Sequence, residues 1–165
     1  MIIAVTGSDG SGKSTICKKI MECCDKHILK NDITISSVWD DHSDLFSSLD
    51  HARSYLTSLN GATRLFFIFH AISRSLDIAI KKRKKIIIID GYFYKYAISE
   101  IARGAPKEVV NLLIKKLPFP DLTLYLDISP EKSALRKETF STYEQGNAKG
   151  HNDKDRFIKF QKKLK

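Results

Sequence analysis

A glycine-rich turn behind the first apolar run sets most of what this chain can fold into. The run is Ile2 to Val5, and the turn that follows, TGSDGSGKST, ends in Lys13, Ser14 and Thr15. Gly7, four residues, then Gly12, Lys13 and Ser14 match the spacing G-x-x-x-x-G-K-[ST]. Glycines there let the backbone curl until successive N–H groups point inward at one phosphate oxygen. The lysine adds a point charge for outer phosphates, and the Ser14 hydroxyl suits Mg2+. A helix starting directly behind the turn lends its positive end. The spacing alone recurs by chance; a strand just before it and a long helix just after it supply the context that confirms it. Gly7, Ser8, Asp9, Gly10, Ser11, Gly12, Lys13, Ser14 and Thr15 are therefore the expected contacts to a nucleotide's phosphates. ATP and Mg2+ are the expected cofactors.

Strand-like and helix-like segments alternate along the rest of the chain. The β-branched runs at 2–6, 32–39, 86–90 and 122–127 read as strands. Apolar residues at helical spacing place helices near 13–30, 45–59, 62–82, 94–103, 107–117, 130–138 and 153–165. Ile86 to Ile89 are apolar without alternation, as in a parallel strand covered on both faces. This order predicts an α/β fold with a parallel sheet between helix layers. A length of 165 residues fits one domain, 1–165. The polar, glycine-bearing stretch STYEQGNAKGHN reads as a mobile loop.

Asp90 ends the isoleucine run, which puts its carboxylate at the carboxyl end of a buried strand, where α/β folds collect ligands. It fits an acid that holds Mg2+ directly or through water. Ser14 and Asp90 are thus the expected metal residues. A GTPase is excluded, because DGYF lacks the aspartate-x-x-glycine step and NDKD lacks the guanine-reading pattern. The net charge of +9 favours anionic partners. Its densest cluster, Lys81 to Lys85, reads as a solvated helix end rather than a nucleic-acid groove, since no aromatic residues interleave it. No segment is long and apolar enough to span a membrane, and no secretory leader is seen. Cys17, Cys23 and Cys24 offer neither metal spacing nor a disulfide framework, which points to a cytoplasmic protein.

With these residues in view, the chain resembles the thymidylate kinase family of nucleoside monophosphate kinases. The stretch GSDGSGKST is similar to that family's phosphate loop, with an acid at Asp9. Asp90-Gly91-Tyr92 resembles its Asp-Arg-Tyr step, and Pro120 to Arg136 is similar to its fourth strand and following helix. The resemblance implies a three-layer P-loop kinase fold and ATP-dependent phosphorylation of dTMP to dTDP. It also implies a basic lid at about 137–153 and a homodimer packed through helices such as Leu65 to Ile80, although that apolar face serves a monomer's core equally well. By the resemblance, Asp9 lies near the acceptor sugar or the metal, Arg74 faces the acceptor, and Arg136 leads into the lid. Lys13, Asp9, Asp90 and Arg136 are the expected catalytic residues. Asp9, Trp39, Phe69, His70, Arg74 and Tyr92 are the expected acceptor contacts, with Trp39 and Tyr92 chosen for their place at strand ends.

The chain departs from the family pattern on the acceptor side. WDDH, Trp39 to His42, stands where an Arg-Glu-Pro loop is usual. Gly91 replaces the arginine of Asp-Arg-Tyr and removes a cation beside the phosphoryl group in transfer. His70 stands where a base-stacking phenylalanine is usual, with Phe69 adjacent. By the resemblance, the family usually adds one more strand and helix beyond the part matched here. Arg103, Arg136, Lys137, Lys149 and Lys95 are candidates for a substitute cation. A kinase for another small acceptor and a nucleotide-binding module without catalysis are the rival readings.

Overall fold

Parallel strands buried on both faces need covering helices, and the computed structural model shows that arrangement. It describes residues 1–25, 30–39, 46–146 and 152–164. The strands are β1 (Ile2–Gly7), β2 (Ile33–Ser37), β3 (Ile86–Asp90) and β4 (Leu122–Leu126). The helices are α1 (Lys13–Asp25), α2 (Leu49–Ser58), α3 (Gly61–Lys81), α4 (Phe93–Ala102), α5 (Lys107–Ile114), α6 (Pro130–Leu135) and α7 (Asp153–Lys163). The strands pair in the order β2-β3-β1-β4, all parallel. In register, Val5 lies beside Asp90, and Gly7 beside Leu126. β1 therefore ends level with β4 and runs two residues, Thr6 and Gly7, past the end of β3.

Alternation along the central strands splits the core in two. Ala4, Ile87 and Ile89 pack with Ile68, Ile72 and Leu76 of α3 and with Phe93 and Tyr96 of α4. Val5 and Ile88 point the other way, onto Cys17 of α1 and Ile33. The chain leaves β1 toward β2 and leaves β3 toward β4, so neighbouring strands part in opposite directions. That switch point opens a crevice at their carboxyl ends.

Side-chain capping sets several helix starts. The Ser48 hydroxyl accepts from the His51 N–H at α2, and the Ser129 hydroxyl accepts from Lys132 N–H at α6, where Pro130 takes the first turn. Several ends differ from the sequence reading. β2 begins at Ile33 because Lys30 to Asp32 form a 3-10 turn, and it stops at Ser37, before Val38 and Trp39. α1 ends at Asp25, and the stretch 26–29 lies outside the described residues. α6 ends at Leu135, with Arg136 closing it.

Of the expected lid, the part 141–146 packs down rather than standing free, with Tyr143 and Gln145 buried. The Gln145 amide donates to the Phe140 carbonyl, and Lys137 Nζ donates to Glu144 Oε1 at 2.9 Å. Residues 147–151, Lys149 among them, lie outside the described residues. Along α3, the apolar face expected to serve a dimer turns Leu65, Ile68, Ile72, Leu76 and Ala79 into the core and leaves Phe66 and Ile80 outward. Lys81 sits in the last turn of α3, Lys84 donates to Asn31, and Lys85 pairs with Asp32, as befits a solvated helix end.

Candidate active site

The loop from Gly7 to Gly12 wraps the end of β1 and delivers Lys13 to the first turn of α1. Gly7 is required twice over. Its φ of +147° is closed to other residues, and a Cβ there would lie 2.8 Å from the Leu126 carbonyl oxygen. Lys13 folds back across the loop, and its ammonium donates to the carbonyls of Ser8 at 2.7 Å and Gly7 at 3.2 Å. The Ser14 hydroxyl donates to Asp90 Oδ2 at 2.5 Å. The two residues expected to hold the metal therefore meet, although 76 positions separate them.

Asp9 is the hub of the loop. Its carboxylate accepts from Lys95 Nζ of α4, with both side chains close to nine-tenths buried. Gln161 of α7, wholly buried, accepts from the Asp9 N–H at 3.0 Å and donates to Asp9 Oδ2 and to the Glu144 carbonyl, both at 3.2 Å. Burial pushes the Asp9 carboxyl up, but the ammonium groups of Lys95 and Lys13 outweigh it and hold the group below its ordinary value. Burial, followed by the like charge of Lys95, pushes Lys13 down to about 8. Burial also opposes the charge on Lys95, yet Asp9 wins and raises that group above the ordinary lysine range.

An open cavity of about 1000 Å³ lies over this loop. Its floor is formed by Asp9 to Ile16 and by Asp90 and Gly91. One side carries Leu126, Ile128, Arg136 and Glu144. The other carries Ser37, Trp39, Leu49, Arg53, Lys95 and Tyr96. Trp39 meets Tyr96 edge to face at 6.5 Å between ring centres, and the Arg53 guanidinium stands 6.0 Å from the Trp39 ring. Among the described lining residues, Lys13, Arg53, Lys95 and Arg136 are cationic, and Asp9, Asp90 and Glu144 are anionic. Aromatic walls with converging charges suit a small anion that carries a flat ring.

Several expected site residues are brought together here: Asp9, Gly10, Ser11, Gly12, Lys13, Ser14, Thr15, Asp90, Arg136 and Trp39 all line the cavity. Gly7 and Ser8 lie beneath it and hold Lys13 through their carbonyls. Others are not among its described lining residues. Tyr92 precedes the first turn of α4, and its ring is buried in the core. Its hydroxyl donates to the Pro118 carbonyl at 2.8 Å, away from the cavity. The aromatic residue at the wall is Tyr96, one turn further on. Phe69 is buried in the core, because the inward stripe of α3 passes through it. His70 is exposed on α3, and neither it nor Arg74 is among the described lining residues. Arg53, Tyr96, Glu144 and Gln161 were missed by the sequence reading.

The candidate cations also sort themselves. Arg103 turns away from the cavity, donating to Ser99 and to the Tyr143 carbonyl. Lys137 pairs with Glu144. Lys95 and Arg136 face the cavity.

Known proteins share the sequence pattern and the fold. Residues 5–165 match the family described as thymidylate kinase. A probable thymidylate kinase of Staphylothermus marinus is 27% identical over 147 residues, covering 85% of this chain and 69% of that protein. The thymidylate kinase of Caenorhabditis elegans is 30% identical over 145 residues, covering 82% of this chain and 66% of that one. The chain thus spans about two thirds of these relatives' length. Thymidylate kinase structures share the fold. The one from Candida albicans has a TM-score of 0.65 at 18% identity, over 99% of this chain and 73% of that one. The one from Ehrlichia chaffeensis has a TM-score of 0.63 at 21% identity, over 82% of this chain and 75% of that one. A match that runs through the phosphate loop, Asp90 and α7 alike means that this chain belongs to the thymidylate kinase family.

Proposed function

We propose that this chain is a phosphotransferase that moves the γ-phosphoryl group of ATP onto dTMP, giving dTDP and ADP. The observation that carries the reading is one cavity lined by Lys13 and the bonded pair Ser14 and Asp90 and also by Trp39, Arg53 and Tyr96. Family membership and the relatives' names support it.

The turn at Gly7 to Thr15 cradles the donor phosphates, and Lys13 stands ready to leave its own carbonyl partners for their outer oxygens. Ser14 and Asp90 form an all-oxygen pair, which suits Mg2+, a cation that keeps most of its water and needs few protein ligands. Among the described residues no group of three or more His, Cys, Asp or Glu makes a dedicated metal cage. Ser14 and Asp90 would hold the ion, which would supply positive charge to offset that of the donor phosphates. In the transfer, the bond between the γ-phosphorus and its bridging oxygen breaks, and a phosphate oxygen of the acceptor bonds to phosphorus. ADP departs with the bonding pair. The acceptor oxygen is already ionised at neutral pH, so no side chain need take a proton. The residues position and neutralise, which is most of phosphoryl-transfer catalysis. Free nucleotides as substrates support a cytoplasmic protein. Among the described residues no helix is long and apolar enough to cross a membrane.

A second reading, an acceptor other than dTMP, is favoured by the wall itself, which uses Tyr96 and Arg53 in place of Phe69, His70, Arg74 and Tyr92. A mass-resolved transfer assay tests both, with ATP, Mg2+ and a panel of nucleosides, nucleoside monophosphates and other small phosphates. The expected result is that dTMP gains one phosphoryl group and that Lys13→Met does not support it. Transfer to another panel member alone would replace dTMP as the acceptor. ATP binding with no transfer to any of them would make the chain a nucleotide-binding module.

A further inference from the structure

Two buried ammonium groups around one cavity are more than the carboxylate of Asp9 needs. Asp9 already holds Lys95, while Lys13 is satisfied by the carbonyls of Gly7 and Ser8. Lys13 and Lys95 put two like charges on the lining of one cavity. Such an arrangement raises the energy of the empty site and is offset when an anion enters between the two.

The space for that anion is beside Gly91. The backbone there has φ +74°, and a Cβ would find nothing nearer than Lys13 Cε and the Tyr96 hydroxyl, each 3.9 Å away. No side chain of residue 91 projects into this gap between the lysine of the phosphate loop and the aromatic wall. Lys95 lies one helical turn beyond Gly91 on α4 and lines the same cavity. Its flexible stem lets the ammonium leave Asp9 for the gap while α4 stays in place. Arg136, the other candidate cation facing the cavity, is exposed at the opposite rim and lacks such a buried anchor.

We infer that Lys95 is a catalytic residue: its ammonium, parked on Asp9 in the empty site, donates to the equatorial oxygens of the phosphoryl group in transfer, opposite Lys13. The inference rests on the kinase reading above and supplies the cation that Gly91 does not. Gln161 is then a positioning residue, since its two bonds to Asp9 fix the carboxylate on which Lys95 waits.

The test compares the full chain with Lys95→Gln, which can still donate one hydrogen bond to Asp9, and with Lys95→Arg, which keeps the charge. ATP affinity is read by titration and turnover by the transfer assay. Lys95→Gln is expected to hold ATP affinity within about twofold and to lose about 100-fold or more in kcat, as removal of a transition-state donor does. Lys95→Arg should recover at least about tenfold of that loss, because a cation is what the step requires. If Lys95→Gln keeps kcat within about threefold, or loses ATP affinity as steeply as kcat, Lys95 is only the structural partner of Asp9 and the inference is overturned. If the unaltered protein transfers to no acceptor, the kinase reading fails on its own. Lys95 is then judged by ADP with aluminium fluoride, a flat phosphoryl mimic. Lost retention of the fluoride complex in Lys95→Gln, at unchanged ADP affinity, upholds the donor role; unchanged retention overturns it.

Discussion

Lys13→Met is expected to abolish transfer and to raise the melting temperature together. The activity loss is direct: a buried ammonium poised at the outer phosphates disappears, and kcat should fall by roughly 10³ or more. The gain in stability comes from the same burial. Lys13 is pushed from 10.5 to about 8, first by burial and then by Lys95. A shift of that size corresponds to about 3 kcal/mol of disfavoured charge. The lost hydrogen bonds to Gly7 and Ser8 offset part of it. A net gain of about 1–2 kcal/mol remains, or about 3–6 °C for a chain of this size. The sign is set by linkage. Between about 8 and 10.5 the unfolded chain still binds the proton that native Lys13 has released. Stability of the unaltered protein therefore rises with pH through that window, and its deficit against Lys13→Met is present in full below it. Urea midpoints of both proteins at neutral pH and near pH 10.5 should show the gap closing as pH rises. A variant that melts lower than the unaltered protein at pH 7 would mean that the loop does not strain its lysine.

Arg64→Met should be the most damaging substitution for folding. Arg64 enters the apolar stripe of α3 and is 4% exposed, opposite Glu100 of α4 at 2%. Its Nε donates to Glu100 Oε2 at 2.8 Å and its Nη1 to the Leu56 carbonyl at 2.6 Å, so one guanidinium ties α2, α3 and α4. Truncation strands Glu100 in the core, with the Arg103 guanidinium 3.8 Å away as the remaining cation. Stranding a buried charge costs about 3–5 kcal/mol, or about 10 °C in melting temperature. The pair Arg64→Met with Glu100→Leu should recover most of that loss, because an apolar pair removes both desolvation costs. Thermal denaturation of the two variants decides it. If the double variant is as unstable as the single one, the ion pair contributes real attraction beyond covering its own burial.

These cases also show what could be read from the chain in advance. The phosphate loop was legible because its chemistry is contiguous: Gly7, Gly12, Lys13 and Ser14 must be neighbours for one turn to hold one phosphate. Asp90 was legible because four isoleucines fix its strand, and a strand's end is fixed by the fold. The aromatic side of the cavity was not, because the phase of a helix decides it. Tyr92 and Tyr96 are one turn apart and chemically alike, yet the residue before the first turn of α4 goes under Pro118 while the later one faces the cavity. Phe69 and His70 are adjacent, and the stripe of α3 takes the first inward and leaves the second outward. Gln161 had no local signal at all, since its partner Asp9 is 152 residues away. Arg64 did leave a trace. It stands one turn before Ile68, on the side of the helix that the apolar residues mark as inward.

Trp39 is the chain's single tryptophan and stands in the cavity wall, edge-on to Tyr96 and near Arg53. Light absorbed by indole is therefore absorbed only at the site. The protein carries its own optical gauge of occupancy: a flat ring or a phosphate arriving beside Trp39 changes the dipoles around one chromophore, with no second tryptophan to dilute the signal. Emission recorded while nucleotide is added would report filling of that wall without a label, and separate titrations with ATP and with the acceptor would tell which of them settles beside Trp39.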